Sequence, residues 1–158
     1  MSEPADRDVL IVGGGPAGLT AATFTARADL ETQVVDAGAS ILRRNAHLEN
    51  YPGFPAGVNS RLLLDMMADQ AERAGAIRET GEIVEIESRA EGFRAHAANG
   101  DRYDAEFVIA ATKNAVDFLE GVDGVEIVSR GKDFVETDDR GRTGVEGLYA
   151  AGRLAMQP

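Results

Sequence analysis

The chain has 158 residues, of which 44% are hydrophobic and 27% are charged, so it is long enough to bury a core without disulfide or metal staples. It contains no cysteine, which excludes from this chain a disulfide scaffold, a thiolate metal site, a cysteine nucleophile and a dithiol redox centre. The net charge is −11, from 27 acidic against 16 basic residues, and this sign disfavours nucleic acids and anionic membranes as partners.

The first predicted unit is a strand, a helix and a second strand over residues 8–36. Residues 8–12 form an apolar, β-branched run that is followed by glycines, as is typical of a buried strand. Pro16 suits the first turn of a helix over 16–28, and residues 32–36 form a strand that ends in an acid. This order predicts a parallel βαβ unit.

The next predicted elements are a loop and a helix. Residues 37–58 contain several asparagines, prolines and glycines and are predicted as a loop. A helix should then begin at a cap on Asn59 or Ser60 and end at Gly75. Its expected buried stripe, in which two methionines fill the core, is Leu63, Met66, Met67, Ala71 and Ala74.

The remaining segments predict short strands and turns. Residues 76–105 should form a small antiparallel β layer, and 106–111 a further buried strand. A mixed connector over 113–133 leads to a last short strand within 147–152. Together the elements predict a single α/β domain over 1–158 with three layers and a mostly parallel central sheet.

A Gly-x-Gly-x-x-Gly motif over residues 13–18 lies between the first strand and the first helix. Gly13 suits the sharp turn, Gly15 the close approach of a pyrophosphate, and Gly18 the packing of helix on sheet. The helix N-terminus adds unpaired N–H groups and a positive dipole end. Asp36, eighteen positions after Gly18, should accept hydrogen bonds from an adenosine ribose and repel a 2′-phosphate. The motif predicts a dinucleotide site that disfavours NADP and leaves FAD and NAD open.

Four segments, in matching order, resemble the FAD-binding domain of the thioredoxin reductase family. They are residues 12–22 (VGGGPAGLTAA), 48–55 (LENYPGFP), 107–112 (FVIAAT) and 143–152 (TGVEGLYAAG). The resemblance implies a three-layer, Rossmann-like FAD/NAD(P)-binding fold and FAD as the cofactor.

Motif and resemblance together predict a set of cofactor-binding residues: Gly13, Gly14, Gly15, Pro16, Ala17, Gly18, Asp36, Asn50, Val84, Ala111, Thr112, Gly152 and Arg153. The resemblance implies that the glycine-rich segment lines the pyrophosphate and that Asn50 lies near the flavin ring, in a loop shaped by Tyr51 and Pro52. It also implies that the backbone around Ile83 and Val84 flanks the adenine. By the same resemblance, Ala111 and Thr112 pack against the cofactor, and Gly152 lets the backbone approach the ribityl chain. No metal ligands and no catalytic side chain are predicted.

The chain also departs from that family. Thr112 and Thr143 are only 31 positions apart, with no second Gly-x-Gly-x-x-Gly between them, so no separate NAD(P)H domain is expected there. The cysteine pair is absent, which excludes thioredoxin reduction by a dithiol of this chain. Lys113 stands where the family has glycine. Arg153 stands where it has an acid, and could pair with the pyrophosphate or turn away.

The family continues past the position of Met156-Gln157-Pro158 into a helix that points at the flavin ring. The ring site is therefore expected to be incomplete in this chain. Two alternatives stay open: a neighbouring subunit completes the site in a homodimer, or the segment is missing from this sequence.

Several single residues allow two interpretations. His47 could donate a proton near the flavin, although a solvated loop histidine is favoured. Arg43 and Arg44 could bind a phosphate or a nicotinamide nucleotide, or tether a solvated loop. Tyr51 could stack on the flavin or anchor its loop. Asp138 belongs to an expected exposed turn without a metal.

Composition also bears on the source and the location. Lys113 and Lys132 are the two lysines of the sequence. An acidic, lysine-poor surface suits high salt, so the composition is compatible with a halophilic source as well as with an ordinary acidic protein. No apolar run approaches the ~20 residues of a spanning helix, and residues 1–6 lack the features of a signal peptide. We expect a cytoplasmic protein without a membrane partner.

Three functions follow from these predictions. The first is a flavin-dependent oxidoreductase that passes electrons from a small-molecule donor, with NAD(P)H bound transiently, to an unknown acceptor. The second is a non-catalytic module that binds FAD or an adenine dinucleotide and senses redox state or ligand. The third is an NAD-binding protein that resembles flavin enzymes only by ancestry.

Overall fold

A computed structural model of the protein describes residues 6–155, and for Asp6 the backbone only. The described elements, in chain order, are β1 (Asp6–Val12), α1 (Pro16–Arg27), β2 (Thr32–Asp36), β3 (His47–Leu48), β4 (Val58–Asn59), α2 (Ser60–Ala74), β5 (Ile77–Thr80), β6 (Ile83–Ser88), β7 (Phe93–Ala97), β8 (Arg102–Ala110), β9 (Ile127–Ser129), β10 (Asp133–Val135) and β11 (Leu148–Ala150). Short 3-10 turns occupy Ile41–Arg43, Asp117–Leu119 and Gly152–Ala155.

A seven-stranded sheet with the order β5-β2-β1-β8-β7-β6 forms the centre of the fold, and β11 pairs with β8. β1 pairs in parallel with β2 on one side and with β8 on the other. β5 extends the parallel arrangement beside β2, and β11 extends it beside residues 108–110 of β8. Because these five strands run in one direction, their carboxyl ends meet at one edge of the sheet.

The two faces of the sheet are covered differently. The helices α1 and α2 cover one face, where Val9, Ile11 and Val34 pack with helix residues such as Leu19 and Ala71. On the opposite face a second apolar cluster runs along the sheet, its β6–β7 hairpin included, and packs against the 3-10 turn Asp117–Leu119. Its residues include Leu10, Val35, Ile86, Ala95 and Phe118. The prediction of three layers around a mostly parallel sheet is confirmed.

The segment 76–105 is only partly the antiparallel layer that the sequence predicts. β6, β7 and residues 102–105 of β8, here called the meander, pair antiparallel as expected. The prediction is wrong for β5, which pairs in parallel with β2. The reason is that α2 lies between β2 and β5 along the chain, and a strand that follows a crossover helix joins its sheet in parallel.

The helix α2 has the predicted ends but a different buried face. The Asn59 side chain accepts hydrogen bonds from the backbone N–H groups of the first turn, at 3.0 and 3.2 Å, and Gly75 ends the helix at φ +117°. Leu64 and Ala68 are buried, whereas Met66 is 40% exposed, so its predicted core role is wrong. Small residues on this face permit close packing against α1, and the methionine is left at the margin.

Residues 1–5 and 156–158 lie outside the described part of the chain, so the expectations for the N-terminus and for Met156-Gln157-Pro158 remain sequence-based. Within residues 6–155 no helix is both long and apolar enough to cross a membrane.

Candidate dinucleotide-binding cleft

A cleft of about 430 Å³ lies at the carboxyl edge of the parallel strands. Its walls come from the segments that follow β1, β2, β8 and β11, together with residues 81–83 at the start of β6. In open parallel sheets this edge is where ligands bind.

The turn between β1 and α1, here called the glycine loop (residues 13–15), is held by backbone contacts. Gly13 has φ +111°, and its N–H donates to the Val35 carbonyl at 3.0 Å. A Cβ on Gly13 would lie 2.3 Å from the Ala111 oxygen, and one on Gly18 would lie 1.9 Å from the Gly13 oxygen. The loop therefore fits between α1 and the end of β8 only because these positions lack side chains.

The N-terminus of α1 opens into the cleft without a cap. Gly15 is the N-cap residue, no side chain caps the helix, and its first turn carries no acid. A Cβ on Gly15 would meet nothing closer than Ser40 Oγ, at 3.4 Å, so the backbone there can be approached closely. The uncapped N–H groups and the helix dipole make this point favourable for an anion.

Asp36, at the end of β2, lies against the glycine loop. Its Oδ1 accepts the Gly38 N–H at 2.9 Å, and its Oδ2 accepts a hydrogen bond from Arg43 at 3.2 Å. The carboxylate side chain is 9% exposed, and a Cβ on Gly14 would come within 2.5 Å of its Cγ. Since a carboxylate can accept about four hydrogen bonds, two acceptor positions remain for a ligand.

The segment after β8 forms a second wall. Ala111 donates its N–H to the Val12 carbonyl at 2.8 Å, and the Thr112 hydroxyl donates to the Ala115 carbonyl at 2.8 Å. Lys113 follows with φ +58°, and its ammonium group donates to the Ala39 carbonyl on the other side of the cleft.

The third wall follows β11. Ala151 donates its N–H to the Ala110 carbonyl at 2.9 Å, which fixes this segment to β8. Gly152 has φ +68°, and a Cβ there would lie 2.6 Å from Ala17 Cβ, so the wall packs directly on the first turn of α1. Arg153 is exposed and lines the cleft.

The charged residues of the cleft follow different strands. Asp36 and Glu82 belong to the side formed by β2 and β6, whereas Lys113 and Arg153 follow β8 and β11. The segment that carries Arg153 packs on the first turn of α1, so a positive charge and the positive end of the helix dipole lie near each other.

The structure brings together ten of the thirteen residues predicted to bind the cofactor: Gly13, Gly14, Gly15, Pro16, Ala17, Asp36, Ala111, Thr112, Gly152 and Arg153. Gly18 lies behind the glycine loop, where it packs on Gly13. Val84 is 47% exposed and does not line the cleft, although its neighbour Ile83 does. The binding roles of all thirteen stay predictions.

Asn50 lies outside the cleft, on an exposed loop. This loop is tied to the start of α2, because Ser60 Oγ donates to the Arg44 carbonyl and Ser60 N–H donates to Ala46 at 2.8 Å. Tyr51 contacts Phe54 with ring centroids 6.0 Å apart.

The other residues with two interpretations occupy varied positions. His47 is 59% exposed and lies 3.8 Å from Glu49. Arg43 is exposed and pairs with Asp36 at 3.2 Å, which ties its loop to the end of β2, and it does not line the cleft. Asp138 accepts backbone and side-chain hydrogen bonds from Arg142 in an exposed turn, and these contacts lower its pKa.

Sequence reasoning missed several residues of the cleft wall: Ala39, Ser40, Ile41, Leu42, Glu82 and Phe118. Ser40 caps the 3-10 turn that follows β2, with Oγ accepting the Leu42 N–H at 3.3 Å. A serine a few positions after the strand-ending acid was the one local signal available, since these residues reach the cleft only through the fold.

Comparison with known proteins finds relatives that agree with one another in family. A family model described as an FAD binding domain matches residues 8–46. The chain is 36% identical over 135 residues to a bifunctional thioredoxin reductase/thioredoxin of Mycobacterium leprae, covering 84% of this chain and 29% of the relative. A thioredoxin reductase structure from Gloeobacter violaceus superposes with a TM-score of 0.65 at 32% identity, covering 69% of this chain and 35% of that one.

A second structure shows the fold alone. An oxidoreductase from Agrobacterium tumefaciens superposes with a TM-score of 0.81 at 15% identity, covering 96% of this chain and 90% of that one. The chain spans about a third of the length of the curated relatives that it matches.

Proposed function

This chain belongs to the FAD-binding domains of the thioredoxin reductase-like oxidoreductases, and on that premise we propose that it binds FAD and passes electrons from NAD(P)H to a small-molecule acceptor. The observation that carries the proposal is the cleft itself. Segments far apart in sequence, after β1, β2, β8 and β11, meet there around an uncapped helix N-terminus.

The donor groups of the cleft fit such a cofactor. The glycine loop leaves room for a phosphate against the backbone, and Asp36 retains free acceptor positions for ribose hydroxyls. The N–H groups in the first turn of α1 supply a hydrogen-bonding surface of the right sign for a diphosphate.

Bound FAD would supply the two-electron chemistry of its flavin ring. The residues of this chain would position the cofactor and set the electrostatic field around it. The glycine loop and Gly152 hold the backbone close enough for contact, and Asp36 orients the adenosine end. Since these 158 residues contain no cysteine, a dithiol acceptor would have to lie outside them.

The donor and the assembly are also part of the proposal. NADH or NADPH would bind transiently, because no second Gly-x-Gly-x-x-Gly lies between Thr112 and Thr143. The proposed assembly is a homodimer in which a neighbouring subunit contributes to the ring site. The cytoplasmic location and the halophilic source stay predictions from the sequence.

An absorbance spectrum of the purified protein at high salt, followed by anaerobic titration with NADH and NADPH, tests the proposal. We expect oxidised-flavin bands that bleach on addition of one of the two nucleotides. A protein that is colourless and does not take up added FAD would contradict cofactor binding. Bound flavin that neither nucleotide bleaches would contradict the donor assignment alone.

A second candidate, a non-catalytic adenine-dinucleotide module, is favoured by the position of Asn50. The loop that the resemblance places near the flavin ring lies outside the cleft. Under this candidate the cleft binds the adenosine diphosphate half, and ADP should bind about as tightly as FAD. Turnover of NAD(P)H with quinones, dyes or oxygen would exclude it.

A further inference from the structure

Lys113 adopts a backbone conformation that its side chain disfavours. Its φ is +58°, and within residues 6–155 the one other non-glycine residue with positive φ is Asp29. A lysine has no local hydrogen bond that would offset this conformation, as an aspartate can have. The chain has only two lysines, so a lysine at the edge of the cleft is also unusual by composition.

The side chain of Lys113 crosses the cleft. Lys113 follows β8, and its ammonium group donates to the carbonyl of Ala39, which follows β2. β1 lies between β2 and β8 in the sheet, so this contact bridges the two segments that flank the glycine loop.

The ammonium group has a neutral partner there. Its hydrogen bond is to a backbone carbonyl, and no carboxylate pairs with it among the residues that the structure describes. Arg153 also lines the cleft, and the first turn of α1 adds its positive end. A doubly charged anion at this place would offer the ammonium group a stronger, charge-assisted hydrogen bond than the carbonyl does.

We propose that Lys113 is a binding residue for the diphosphate of the dinucleotide, and that its contact with Ala39 is exchanged for the anion when the ligand enters. This inference rests on the proposed function only in taking the ligand to be a dinucleotide. Lys113 then supplies a cation at a position where the thioredoxin reductase family has none, since glycine is usual there.

Binding measurements on wild-type protein and on Lys113→Gln and Lys113→Gly test this role. FAD, ADP and adenosine are the probes, titrated by calorimetry at two salt concentrations. We expect both variants to weaken FAD and ADP binding about tenfold, to leave adenosine binding unchanged and to reduce the salt dependence. Lys132→Gln removes the same charge from an exposed turn outside the cleft and should match wild type.

The two variants separate charge from backbone strain. Glycine accepts φ +58° without cost, so Lys113→Gly should fold at least as well as wild type, which a thermal denaturation curve checks. Unchanged or tighter binding of FAD and ADP in both variants would overturn the inference, because the side chain would then only obstruct the cleft.

The same titrations distinguish the inference from the proposed function. Wild-type protein that binds ADP but not FAD would contradict the proposed function, while the effect of Lys113→Gln on ADP would still decide the inference. Wild-type protein that binds neither probe would overturn both.

Discussion

At the carboxyl edge of the parallel strands, backbone groups and small residues form the structure, whereas in the meander charged side chains pair with one another. Arg94 donates to both oxygens of Asp104 at 2.7 and 2.8 Å, and His96 lies 3.1 Å from Glu87. Tyr103 donates to a glutamate at 2.7 Å, and burial followed by this hydrogen bond raises its pKa. These polar groups of the meander therefore have their hydrogen-bond and ion-pair partners within the fold.

The cleft leaves comparable groups open. Among residues 6–155, no side chain caps the first turn of α1, and the ammonium group of Lys113 donates to a carbonyl without a carboxylate partner. The comparison teaches that the density of charged residues does not locate the site. The proposed site includes an uncapped helix end and a cation without a carboxylate partner among the described residues, whereas the meander is richer in ion pairs.

Replacing Gly18 with alanine should give the largest effect. The added Cβ would lie 1.9 Å from the Gly13 oxygen, which is backbone and cannot rotate away. We expect the free energy of unfolding to fall by about 3 kcal/mol and FAD binding to be lost. Urea denaturation and a flavin titration measure the two effects.

Gly121→Ala is the control for this variant, because nothing lies within 4 Å of its added Cβ. It should change the free energy of unfolding by less than about 0.5 kcal/mol. A Gly18→Ala protein as stable as this control would show that the glycine loop is not held by close packing.

Replacing Asp36 with asparagine should weaken FAD binding about tenfold, because a charged acceptor for the ribose hydroxyls becomes neutral. The Arg43 pair is lost as well, so a small decrease in stability should accompany the change. Fluorescence titration of FAD measures the affinity. Asp139→Asn, in an exposed turn, is the matched control, and equal affinities in the two variants would contradict the role of Asp36.

Asp104→Asn should affect stability and not binding, which would sharpen the contrast between the two regions. The hydrogen bond from Arg94 lowers the pKa of Asp104, so the carboxylate stabilises the fold above the pKa of an unfolded aspartate, about 3.9, and this contribution is lost as the pH falls further. We expect the variant to be less stable by about 1 kcal/mol at neutral pH, and we expect this difference to shrink as the pH falls below about 3.9 and through the lowered pKa of Asp104.

Denaturation midpoints across this pH range, with FAD affinity measured in parallel, check the Asp104 prediction. A pH-independent difference between the two proteins would show that the variant acts through packing and not through charge. A loss of FAD affinity would contradict the prediction that the meander does not contribute to binding in the cleft.

Asn50→Ala should have the smallest effect. The side chain lies outside the cleft, so ADP affinity should not change measurably. Calorimetric titration with ADP, with FAD as the second ligand, is the measurement. Weaker ADP binding would show that this loop reaches the adenosine half, contrary to its position outside the cleft.

The first βαβ unit could be predicted almost completely from the sequence because its constraints are local. The run before Gly13 and the proline at the helix start define β1 and α1, and Asp36 ends β2 as predicted. The same holds for the ends of α2, which a side-chain cap and a left-handed glycine determine within a few residues.

The predictions that were wrong or absent concern features that tertiary packing determines. The parallel pairing of β5 depends on which strand it meets after α2, and the exposure of Met66 depends on the small residues that α2 presents to α1. The Arg43 pair with Asp36 and the reach of Lys113 to Ala39 likewise join segments that periodicity treats separately. Only the folded arrangement brings these groups together.

The pairing of β11 with β8 has a consequence for how the protein is made. Residues 108–110 of β8 have an open edge until residues 148–150 arrive, almost forty positions later in synthesis. The wall that packs Gly152 on Ala17 is thus the last part of the cleft to leave the ribosome. A nascent chain can form the βαβ unit early, but it cannot enclose a nucleotide until this strand docks, so cofactor capture is a late event in biogenesis.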